Sequence, residues 1–140
     1  MKTLIAVAAM TFMCIAHASD DCPLKGKWLR DNEKSMANAH KDAHASPKVA
    51  KVIQKLLSTK FEAEFTCDQL IMQFDGTKIV QPYRTVSIWR DQGKLSSVTI
   101  EIYGDKKLEY SEFTLSGNCY EHLVERKLWK PFNEVFCRVK

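Results

Sequence analysis

Ser58 divides the chain into two hydrophobic regimes. Before it, Val49, Val52, Ile53, Leu56 and Leu57 recur at i, i+3, i+4, i+7 and i+8, the spacing of one face of an α-helix. After it, Phe61, Ala63, Phe65 and Cys67 alternate with Glu62, Glu64 and Thr66, a period of two in which successive side chains face opposite sides of a sheet. The alternation recurs nearly to the C-terminus. Segments 61–67, 70–74, 79–90, 94–103, 108–116, 119–126 and 133–139 read as strands. They are separated by short turn signals: Asp68-Gln69, Asp75-Gly76, Asp91-Gln92-Gly93, Gly104-Asp105 and Gly117-Asn118, with Pro131 in the last connection. Short turns between consecutive strands favour an antiparallel up-and-down meander.

Upstream, residues 25–30 (KGKWLR) form a short strand with Trp28 as its large apolar side chain. Residues 32–45 read as a weakly apolar helix that Asp31 or Asn32 can cap. Ser46 and Pro47 then suit the cap and first position of the helix ending at Ser58. The fold expected is mainly β (α+β): an antiparallel, barrel-like meander of about eight strands with two helices inserted after the first. About eight strands can close around side chains or one small ligand. Pro82 marks an edge or a bulge in its strand.

Residues 1–18 read as a signal peptide. Lys2 is the basic start, 4–15 the apolar run, and Ala16-His17-Ala18 the cleavage site, which leaves 19–140 as a single domain. The apolar run is too short to span a bilayer, and no later segment approaches that length. Cys14 leaves with the signal, so Cys22, Cys67, Cys119 and Cys137 remain, an even number suited to an oxidising compartment. Of three possible pairings we favour Cys119–Cys137, in neighbouring C-terminal strands, and Cys22–Cys67. No C-x-x-C spacing suggests zinc. The expected location is the periplasm or the exterior.

Gly26-Lys27-Trp28 on the first strand resembles the Gly-x-Trp mark of lipocalin-like (calycin-type) barrels. Gly117-Asn118-Cys119-Tyr120 and Phe136-Cys137-Arg138 are similar to the last hairpin of small exported bacterial members of that group, and Pro82-Tyr83-Arg84 fits as well. The resemblance covers 25–139 and implies a barrel in which Arg138 lies on Trp28 in a structural, cation–π role. Two helices directly after the first strand depart from the lipocalin order and imply a shortened or helix-lidded relative.

Catalytic signatures are missing. There is no Gly-x-Ser-x-Gly elbow, phosphate loop or dinucleotide motif. Glu101, Glu109, Glu112, Glu121, Glu125 and Glu134 read as outer-face residues, and His122 as a surface or cavity-mouth residue. His40 and His44 share a helix face, as a solvated pair or a weak metal site. We therefore expect no enzyme, no cofactor and no bound metal. The chain carries 21 basic and 17 acidic residues, too mild a bias for nucleic acid, and export removes that partner. Lys48, Lys51, Lys55 and Lys60 form a stripe near helical spacing. It reads as a solvated face or as a contact for anionic lipid, lipopolysaccharide or an acidic partner.

Two functions compete. One is a non-catalytic binding protein holding a small apolar ligand, with Trp28, Phe65, Tyr83, Trp89, Ile100, Phe113 and Tyr120 facing it and helix 32–45 as the looser lid. The other is a periplasmic immunity or inhibitor protein that binds a toxin or a lysozyme-like enzyme. A hollow apolar interior favours the first; a solid core with an exposed cluster favours the second.

Overall fold

The computed structural model describes residues 22–42, 46–126 and 129–140. The signal segment 1–18, with Cys14, and His44 of the histidine pair lie outside the described residues. Strands β1 (Gly26–Arg30), β2 (Phe61–Phe65), β3 (Gln69–Phe74), β4 (Thr77–Asp91), β5 (Lys94–Tyr103), β6 (Leu108–Ser116), β7 (Cys119–Arg126) and β8 (Trp129–Arg138) pair in chain order. Every pairing is antiparallel, and β8 closes on β1 through Trp28↔Arg138, Leu29↔Cys137 and Arg30↔Phe136. The barrel and its two inserted helices are as the alternation foretold. Asp75 and Gly76 both take positive φ, 47° and 72°, the backbone of a two-residue turn between twisted strands.

Closure leaves no free edge, so Pro82 marks none. It sits opposite Gln69. The irregularity in β4 lies farther on, where the register with β5 shifts between Thr85 and Ser87. One extra residue there inverts the inside-outside phase of the rest of the strand.

Helices α1 (Asn32–Asp42) and α2 (Pro47–Ser58) lie between β1 and β2 in the chain. The Lys34 amide donates to Asp31 Oδ1 at 3.0 Å, so Asp31 is the α1 cap. Ser46 caps α2, accepting from the Val49 amide. Ala39, Ile53 and Leu57 join Phe132 in a second core, with Met36, Val49 and Val124 against it. Phe132 and Val124 stand opposite each other, in phase with the inward pair Tyr120 and Phe136. The helices thus continue the barrel interior.

Helix α1 is fastened rather than loose, which corrects the lid expectation. Beyond its pairing with β1, β8 turns its backbone to α1. The Asp31 amide donates to Val135 O at 2.8 Å, the Val135 amide to Ser35 Oγ at 2.9 Å, and Asn38 Nδ2 to Asn133 O at 3.0 Å. Ser35 and Ala39 are buried, so small residues that look weakly apolar in sequence permit close approach.

Candidate functional site

A small apolar ligand would have to lie in the barrel interior. Six of the seven proposed ligand-facing residues converge there: Trp28, Phe65, Tyr83, Ile100, Phe113 and Tyr120 each expose 4% or less of their surface. They touch one another. Trp28 and Tyr120 have ring centroids 4.7 Å apart, Phe113 and Tyr120 4.9 Å, and Phe65 meets Tyr83 and Phe113 edge-on at 5.6 and 5.7 Å. These are packing distances for aromatic pairs. Phe136, absent from the expected set, stacks on Tyr120 at 5.1 Å, and Val98 is fully buried beside them.

Polar groups in this interior are held mainly by the fold. Tyr83 OH donates to the Thr66 carbonyl. Burial, then the charge of Asp68, pushes its phenol up to about 12. Trp28 Nε1 donates to Leu24 O at 2.8 Å. Arg30 and Glu134 form a buried ion pair at 2.8 Å, and the same guanidinium donates to Leu56 O and Thr59 O, both at 2.7 Å, at the end of α2. Burial raises the Tyr120 phenol well above its usual range, with the Glu134 charge as a second cause. His122 is partly buried, its ring stacks on Phe113 at 5.1 Å, and burial lowers its pKa.

Trp89 is the correction. It is 66% exposed and pairs with Ser97, whereas Ile88 pairs with the inward Val98. The register shift after Thr85 turns Trp89 onto the outer wall.

That wall carries a second cluster. Glu101 lies between the inward Ile100 and Ile102, so it points outward, yet it is only 3% exposed. Three side chains cover and bind it. Arg84 Nε donates to Oε2, Tyr103 OH to Oε2 at 3.0 Å, and Tyr110 OH to Oε1 at 3.0 Å. The hydrogen bond from Arg84, followed by those from the two tyrosines, holds the Glu101 carboxyl below the usual carboxylate range. The tyrosines remain open to solvent, Tyr110 at 65% and Tyr103 at 45%. Cross-strand pairing explains the meeting: Glu101 stands opposite Arg84 on β4 and Tyr110 on β6. Trp89 lies five residues from Arg84 on the same wall, roughly 15 Å along a strand.

An open cleft of about 430 Å³ lies at the β3–β4 hairpin, between Lys60, Glu62 and residues 73–78. Its lining mixes charged and polar side chains with the ring of Phe74. Among the described residues, no three His, Cys, Asp or Glu side chains gather as metal ligands would. The two cysteine pairs form as Cys22–Cys67 and Cys119–Cys137. No described helix is long and apolar enough to cross a membrane. Compared with family models, curated proteins and solved structures, the chain matches none.

Proposed function

We propose that this is an exported, non-catalytic binding protein of lipocalin-like type, and that it takes a protein partner on the outer wall of β4, β5 and β6. One observation carries the reading: a buried carboxylate on the outside of the barrel, Glu101, gathers Arg84, Tyr103 and Tyr110 into fixed positions. Tyr, Trp and Arg dominate the energetics of protein interfaces. Side chains already ordered lose less entropy on binding. The two disulfides suit an oxidising compartment.

The small-ligand alternative draws support from an aromatic interior, but those aromatics already fill one another's contacts. Inhibition or immunity is the form of protein binding that fits a small domain with no nucleophile–base pair in view. The test starts with purified lysozymes and with proteins of the same compartment, passed over the immobilised protein. A retained target should lose at least tenfold in affinity with W89A/Y110A and little with K94A. Saturable fatty-acid binding that changes Trp28 emission and survives W89A/Y110A would return the reading to the barrel interior.

A further inference from the structure

Helix α2 presents two faces of unlike chemistry. Ile53 and Leu57 are buried against α1 and β8. Lys48, Lys51 and Lys55 fall on the opposite side, within a sector of about 60° at 3.6 residues per turn. All three are exposed, and none joins an ion pair among the described residues. The helix contains no acidic residue. Val52 and Leu56 lie on one side of the lysines, between them and the buried face, and remain 46% and 38% exposed. Arg30, bonded to Leu56 O and Thr59 O, ties the end of the helix to β1, so this face is held outward.

We infer that the outward face of α2 docks on an anionic phospholipid surface. This is independent of the protein-binding proposal and uses a different side of the molecule. Three exposed lysines with no ion-pair partner among the described residues are complementary to a negative headgroup layer. Their aliphatic stems, with Val52 and Leu56, can enter the interface while the ammonium groups stay among phosphates. An acidic protein partner fits less well. Fixed carboxylates are best met by the planar fork of arginine, and this face contains only lysine. It also has no use for two exposed aliphatic side chains beside the charges. The contact is peripheral: the helix lies on the surface and spans nothing.

Co-sedimentation with vesicles tests the inference on the form of the protein that producing cells accumulate. Vesicles of phosphatidylglycerol and phosphatidylcholine should bind it at low salt, and pure phosphatidylcholine should not. High salt should release it, since exposed charges are screened. K48Q/K51Q/K55Q should lower partitioning by about 100-fold, from a factor of about five per lysine near an anionic surface. V52S should weaken it further, by several-fold. A control, K78Q/K94Q/K106Q, removes equal charge elsewhere and should change it little. Circular dichroism establishes that each variant is folded. No binding to phosphatidylglycerol, or equal loss in the control, overturns the inference. So does capture of polyglutamate without capture of vesicles, which would make the face a site for acidic protein.

Discussion

The guanidinium carbon of Arg138 sits 4.2 Å from the centroid of the Trp28 ring, and the same group donates to Lys25 O at 2.6 Å. The last strand thereby grips the start of the first. Gly26 makes room. Its φ is +130°, and a Cβ there would stand 2.7 Å from Arg138 Nη1. A glycine stands two residues before this tryptophan because the arginine passes over it. Arg138→Ala should cost about 2 kcal/mol, from the lost cation–π contact and charge-assisted hydrogen bonds. Urea unfolding checks it, and an unchanged midpoint would show the contact to be ornamental.

Arg30 should be far less replaceable. It is buried with Glu134 and serves two carbonyls at the end of α2. Arg30→Ala removes a buried partner of Glu134 together with the donor to both carbonyls, and should cost about 3–5 kcal/mol. The paired replacement R30M/E134L should recover part of that loss. Denaturant midpoints for the single and double variants decide between a charge effect and a packing effect.

Acid should loosen the barrel through His122. Burial lowers its folded pKa below the ordinary 6.5. The unfolded chain therefore binds a proton more readily than the folded one. Stability is complete above about pH 6.5 and falls as pH drops through the unfolded value, levelling below the folded one. His122→Gln should flatten this segment of the melting-temperature profile. A profile with the same slope in both proteins would remove His122 as its cause.

Trp89 and Tyr110 should separate function from stability. Both are about two-thirds exposed, so W89A should shift unfolding by no more than about 0.5 kcal/mol, while the affinity for a protein target falls. Glu101→Gln should act between these limits, because it loosens both tyrosines at once. Thermal unfolding measured alongside binding distinguishes the two effects.

Reduction offers a further check on the fold. Each disulfide should contribute roughly 2–4 kcal/mol, and the chain-entropy view gives Cys22–Cys67, separated by 45 residues, more than Cys119–Cys137, separated by 18. Unfolding of C22A/C67A and C119A/C137A ranks them. The opposite order would point to native-state contacts instead of loop length.

The barrel was legible because alternation is a local signal: Phe65, Ile100 and Phe113 announce their side through their own neighbours. Trp89 was not legible, since one extra residue after Thr85 reverses phase and nothing in the residue types marks it. The Glu101 cluster was half visible. Tyr103 stands two residues away on the same face, but Arg84 and Tyr110 come from strands 17 residues before and 9 after, and only the register brings them together. The grip of α1 on β8 was hidden because Ser35 and Ala39 work by being small.

Closure of β8 on β1 also sets an order of assembly. Arg30 and Glu134 are 104 residues apart, whereas the hairpins from β2 to β7 join near neighbours. A chain emerging from its N-terminus can zip those hairpins early, but the far side of β1 stays bare until Phe136–Arg138 arrive. Contacts of such long range slow folding, and bare strand edges invite pairing between molecules. A chain stopped at Asn118 should therefore not make a smaller barrel. It should present two unsatisfied edges at once, and light scattering should record it as growing assemblies.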